Sequence, residues 1–166
     1  MKTLCAFVLM SGLVLAQTAK PSLEARVQRL EDMEAIRTLL LDYGRTLDAR
    51  DLKAYSELFT KDGEWIGGFG SVKGRPELLA FMQKNMGPGQ NTGKTYHLLT
   101  NFFINVTGDT ATAVSRWSYV VGNGDKKPQL EHSGRYEDVI VREDGRWKFR
   151  KRVVFNDLPP VEQPGR

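Results

Sequence analysis

The feature that most restricts this chain is a change of hydrophobic period partway along it. Leu23, Val27, Leu30, Met33, Ile36, Leu40, Tyr43 and Leu47 recur at spacings of three and four, and predict one long helix over 23–49. From residue 96 onward the period is two. The stretches 96–106, 110–121, 129–141 and 146–156 alternate apolar with polar residues and are joined by Gly108-Asp109, a 122–127 turn and Asp144-Gly145. They read as four long antiparallel strands. Helices first and a meander of strands after is an α+β layout, with helices against one concave face of a curled sheet.

Shorter elements fill the interval. Ser22 can cap the long helix, with Glu24 in its first turn where the dipole favours an anion. Asp51 can cap a second helix over 52–59, with Tyr55 and Leu58 inward. The Gly-rich 63–72 stretch, with Trp65, Ile66 and Phe69, reads as a strand pair, and 75–85 as a third helix carrying Leu78, Leu79 and Met82. A loop is expected over 86–94 and a flexible tail over 157–166, leaving a single domain over 22–156.

The start of the chain reads as a targeting segment. Lys2, an apolar run over 4–16, then small and polar residues follow the order of a secretory signal peptide, with the cut expected after Ala16. The run is shorter than the ~20 residues of a membrane-spanning helix. A secreted or periplasmic protein is therefore expected, with no stable membrane insertion after cleavage; an uncleaved anchor is the alternative. Cys5 is the only cysteine and falls inside that segment. An exported chain would then have no disulfide, thiolate nucleophile or Cys-ligated metal. The formal charge of +4 is spread along the sequence rather than gathered in one block, so nucleic acid is not an expected partner.

Most chemical motifs fail on inspection. The segment 88–95 has Pro88 where a phosphate loop needs Gly, and it runs from a helix into a strand. His97 and His132 stand 35 residues apart without clustered carboxylates, so no metal is expected. No G-x-S-x-G turn occurs. One group remains, Tyr43, Asp48 and His97. Asp48 falls in the last turn of the long helix, where the macrodipole disfavours an anion by ~0.3–1 kcal/mol, so solvent or a partner across a pocket must compensate. His97 alternates with Leu99 and Phe103, which places it on a face with apolar members. A carboxylate bonded to it would fix the tautomer and raise the basicity of the other ring nitrogen. Such a pair needs no cofactor.

The segments RLEDMEAIRTLLLDYGRTLDARDLKAYSELFTKDGEW, KGRPELLAFM, YHLLTN and HSGRYEDVIVREDGRWKFRKR, in that order over about residues 24–156, resemble the SnoaL-like branch of the nuclear-transport-factor-2-like superfamily. The resemblance implies a cone-shaped α+β barrel, a mostly antiparallel sheet wrapped around the long helix and a deep apolar pocket. Members with known chemistry include scytalone dehydratase, bile-acid dehydratase, dehydrochlorinase and ketosteroid isomerase; others only bind partners. On this resemblance Asp48 and His97 match the Asp–His pair of the dehydratase and dehydrochlorinase members. Tyr43 matches a tyrosine of the bile-acid dehydratases, and Arg152 an arginine of the dehydrochlorinase pattern. By alternation Arg152 falls with Lys148 and Arg150, away from Trp147 and Phe149, so a solvent-facing cation is the competing expectation. The scytalone dehydratase pattern has a second pocket histidine, absent from the matching stretch Trp117, Tyr119 and Val121. His132, Arg135 and Tyr136 belong to a family signature with no role derivable from sequence.

The expectation is a cofactor-free lyase or isomerase with Asp48, His97, Tyr43 and Arg152 as its catalytic group. Trp65, Phe69, Phe102, Trp117 and Tyr119 are expected to wall a site for a small hydrophobic molecule. The rival is a non-catalytic module of the same fold that binds a small molecule or a protein. The exposed sheet face of such a fold also allows a homodimer.

Overall fold

The computed structural model describes residues 20–87, 94–122 and 127–159. Helix α1 runs Leu23–Asp48, with the Ser22 side chain accepting from the Ala25 N–H at 3.2 Å. Ile36, Leu40, Tyr43 and Leu47 are buried, whereas Leu23, Val27 and Leu30 are exposed. At ~100° per residue those three lie roughly opposite Ile36 and Tyr43. The sequence stripe thus joins two faces of the helix through Met33, and only its second half packs on the sheet.

Helix α2 (Leu52–Glu57) is capped by Asp51, which accepts from the Ala54 N–H at 3.0 Å. It is shorter than expected, because Phe59 already opens strand β1 (Phe59–Gly67), wholly buried and opposite Phe149. Then follow β2 (Gly70–Lys73), α3 (Arg75–Met86), β3 (Lys94–Thr107), β4 (Thr110–Gly122), β5 (Gln129–Glu143) and β6 (Arg146–Leu158). The sheet order is β2-β1-β6-β5-β4-β3, antiparallel except between β1 and β6. It curls around α1 into an unclosed cone whose edges are β2 and β3. The expected tail is corrected at its start: β6 continues to Leu158, and Asp157 pairs with Arg116 at 2.6 Å and Arg135 at 2.7 Å. The signal-peptide segment, residues 88–93 of the loop, 123–126 of the turn and 160–166 of the tail lie outside the described residues. Among the described residues no helix is long and apolar enough to cross a membrane.

Two β-bulges decide which side chains face inward. In β3, Asn101 and Phe102 together oppose Ser115, between the pairs Thr100↔Arg116 and Phe103↔Val114, and Asn101 takes φ 53°. An extra residue reverses the alternation beyond it. Thr95, His97 and Leu99 face in before the bulge, and Phe102, Ile104 and Val106 after it. Phe103, expected on the His97 face, is 73% exposed. In β6 the extra residue is Arg150, between Ile140↔Phe149 and Val139↔Lys151. Trp147 and Phe149 face in before it, and Arg152 after it.

Candidate active site

The contact between α1 and β3 is built around a glycine. A Cβ at Gly44 would come within 2.9 Å of Leu99 Cδ1 and 3.1 Å of His97 Cβ. With only hydrogen there, α1 lies close against β3, and Asp48, one turn on, reaches His97 twice. The His97 backbone N–H donates to Asp48 Oδ2 at 2.8 Å, and the His97 ring meets Asp48 Oδ1 through Nδ1 at 2.7 Å. Both side chains are largely buried. An ionised carboxylate only accepts, so the proton in the second bond belongs to Nδ1. That leaves the Nε2 lone pair as the reactive side of the ring. The same two bonds compensate the anion at the helix C-terminus.

His97 lines a cavity of about 460 Å³ at one end of the cone. Tyr43 and Leu47 come from α1, Trp65 from β1, Met82 and Met86 from α3, Trp117 and Tyr119 from β4, and Val154 and Asn156 from β6, with Phe69 between β1 and β2. Four of the five expected wall residues are therefore here. Phe102 is not among them: the β3 bulge turns it toward α1, with the Arg37 guanidinium 5.9 Å from its ring centre.

Tyr43 accepts a hydrogen bond from Trp65 Nε1 at 3.0 Å, which leaves its own O–H available to donate. Its ring packs on Tyr136 at 5.2 Å, and Tyr136 stacks on Trp117 at 5.7 Å. Burial pushes the Tyr136 phenol well above its usual range, so it stays a neutral wall. The Trp117 indole lies across β5 because position 134 is glycine: a Cβ there would overlap the Phe155 carbonyl oxygen and approach the indole at 3.0 Å.

Arg152 is fully buried but does not line the cavity. The solvent-facing expectation is corrected, since the β6 bulge brings its side chain onto the inner face. Nε and Nη2 each donate to Asp138 at 2.7 Å. The guanidinium stands 3.9 Å from the Tyr43 ring centre, 4.2 Å from Tyr136 and 4.1 Å from Phe149. Burial opposes its charge, and Asp138 more than offsets that. Arg152 thus supports the aromatic floor from beneath.

Sequence reasoning left His132 without a place. It lines the same cavity, opposite Tyr119 on the neighbouring strand, so that His97, Tyr119 and His132 form one row across β3, β4 and β5. The Tyr119 ring centre is 5.0 Å from His97 and 6.4 Å from His132. The second histidine of the pocket thus comes from β5, not from the β4 stretch where the dehydratase pattern has it. His132 Nδ1 is buried with no hydrogen-bond partner. Among the described residues no group of three or more His, Cys, Asp or Glu side chains could hold a metal ion.

Residues 28–153 match the family model of the SnoaL-like domain. An uncharacterised protein of Mycobacterium tuberculosis strain H37Rv is 30% identical over 131 residues, covering 76% of this chain and 86% of that protein. A nuclear-transport-factor-2-like protein with a cystatin-like fold from Novosphingobium aromaticivorans superposes with a TM-score of 0.68 at 30% identity, over 80% of this chain and 86% of the other. A candidate scytalone dehydratase from the same organism superposes with a TM-score of 0.66 at 25% identity, over 79% of this chain and 87% of the other.

Proposed function

The chain belongs to the SnoaL-like family, and from that premise we propose that it is a cofactor-free acid–base enzyme, a lyase or isomerase acting on a small, mostly apolar molecule. One observation carries the proposal: the 2.7 Å bond between Asp48 and His97 Nδ1 in a residue that lines an aromatic cavity. His97 Nε2 takes a proton from substrate carbon, and Asp48 stabilises the imidazolium that forms. The electron pair released from the C–H bond moves to a substrate oxygen or expels a leaving group. Tyr43 and His132 are the proton donors for that step. His132 Nδ1 is buried without a partner inside the protein, and a group of the substrate that meets it would recover the ~1–3 kcal/mol that an unmade buried hydrogen bond costs. Each positioned group contributes ~10²–10⁴-fold.

Two further parts belong to the same proposal. Residues 1–16 are a cleaved signal peptide of a secreted or periplasmic protein, which N-terminal sequencing of exported material from its host would test by a start at Gln17. The outer sheet face, where Tyr96, Leu98 and Phe103 are exposed, receives a second copy, tested by the mass in solution of wild type and Phe103→Glu.

The catalytic proposal is tested by deuterium exchange at carbon in D₂O, followed by proton NMR over a panel of small aromatic and alicyclic ketones and β-hydroxy ketones. Exchange or elimination is expected, lost by about 10²-fold or more in His97→Gln and reduced in Asp48→Asn. Undiminished turnover in His97→Gln, or tight binding without turnover, would overturn it, the latter in favour of a binding module.

A further inference from the structure

At the other end of β6 from the cavity lies a larger groove of about 910 Å³, between the three helices and the β5–β6 turn. It shares no lining residue with the cavity. We propose that this groove is a second binding site, for a small amphipathic anion: an apolar body ending in a carboxylate or a phosphate.

The charge balance of the groove carries the proposal. Six of its lining residues are cationic and two acidic. Three of the six are matched: Arg45 by Asp42 at 2.9 Å, Arg142 by Asp32 at 2.6 Å, and Arg75 by Glu143 at 3.0 Å. Lys148 reaches only that same Glu143 oxygen, at 3.9 Å, while the other oxygen of Glu143 already accepts the Lys61 N–H. Lys53 and Arg146 have no ion pair among the described residues. Against the six cations stand Asp42, Asp32 and Glu143, each already paired, and Glu57, so positive charge is in excess.

Lys148 is also poorly solvated, its side chain 16% exposed. Burial, and then the repulsion of Arg75, hold its ammonium below the usual range. An anion bound beside it relieves both at little further desolvation cost. Arg146 and Lys148, two apart on one strand, leave the same face about 7 Å from each other, a span that one carboxylate or phosphate bridges. The large apolar side chains of the lining are Leu39, Leu58, Leu79 and Trp147, beside the hydroxyls of Thr38, Thr46 and Ser56. That floor selects an amphiphile over a bare ion.

The test uses calorimetric titration of the full protein with dodecanoate and dodecyl phosphate below their micelle concentrations, against dodecanol and inorganic phosphate. Saturable binding of either amphiphile is expected, the tighter of the two identifying the head group. It should weaken about tenfold or more in Arg146→Glu/Lys148→Glu, and should also weaken as salt rises from about 0.05 to 0.5 M. Lys53→Glu, on the solvent side of α2, gives the same readout should the double variant not fold. Binding unchanged by charge reversal would place the ligand in the other cavity and overturn the proposal. So would equal binding of dodecanol, binding of inorganic phosphate as tight as of dodecyl phosphate, or no binding of either amphiphile.

Discussion

Replacing Asp138 by Asn keeps the shape of the side chain and removes the charge that faces Arg152 across the β5–β6 ladder. Both side chains are 0% exposed, so no water can take over from the carboxylate. Stranding one partner of a buried pair costs ~3–5 kcal/mol. The three rings around the guanidinium and the remaining amide oxygen put the expectation at the lower end, ~3 kcal/mol. With a urea dependence of ~1.5–2 kcal/mol per molar, the unfolding midpoint should fall by roughly 1.5–2 M. Arg152→Met should behave differently. Burial raises the Asp138 carboxyl above its ordinary range, Arg152 only partly countering it. Once Arg152 is gone the native state can bind a proton there that the unfolded state at the same pH does not. A raised carboxyl contributes stability at low pH that is lost as pH rises through its folded value. The Arg152→Met deficit should therefore shrink between about pH 7 and 5, while that of Asp138→Asn stays constant. Urea titrations of both variants and the double variant at the two pH values read all of this. A midpoint shift below about 0.3 M for Asp138→Asn, or single effects that add within ~0.5 kcal/mol, would refute the idea that the two charges depend on each other.

Two other perturbations separate neighbouring effects. At Asp32, burial pushes the carboxyl up, but bonds from Arg142, Trp147 and Gln28 outweigh it and the net direction is down. Its stabilisation is therefore present above the unfolded value of about 3.9 and lost as pH falls below it; Asp32→Asn should flatten the fall of Tm between pH 5 and about 2.5. Gly134→Ala forces a methyl into the Phe155 carbonyl oxygen and the Trp117 indole; a loss of ~1–3 kcal/mol or more is expected by urea unfolding, with a changed near-ultraviolet circular dichroism signal from Trp117 and Tyr136.

Elements were legible where a local signal sets them. Strands 96–106 through 146–156 need only alternation and turn residues, and Ser22 and Asp51 cap as their side chains dictate. The meeting of Asp48 with His97 could be anticipated because a helix-end anion needs solvent or a partner, and the SnoaL-like resemblance pointed to His97 as that partner. Residues failed to be legible where a face depends on register. Arg152 and Phe102 follow the wrong parity because nothing in KFRKR or TNFF marks one residue as extra. His132 belongs in the cavity only through its pairing with Tyr119, which rests on a further shift of register between Tyr119 and Val120. Gly44 carries no signal of its own in the sequence, and its use appears only once β3 lies against it.

The bulges at Asn101 and Arg150 also govern how this chain can diverge. A strand that loses the extra residue regains regular pairing and keeps Arg152, Val154 and Asn156 opposite their β5 partners, each one place nearer the turn. A strand that keeps the residue but pairs it regularly turns Val154 and Asn156 out of the cavity to solvent. Two descendants of one ancestor can then carry the same residue at the same distance from the same turn, one using it to hold a ligand and the other to stay soluble. Inheritance of a pocket in this architecture is inheritance of a count, and a one-residue slip resets the pocket's chemistry without altering the fold.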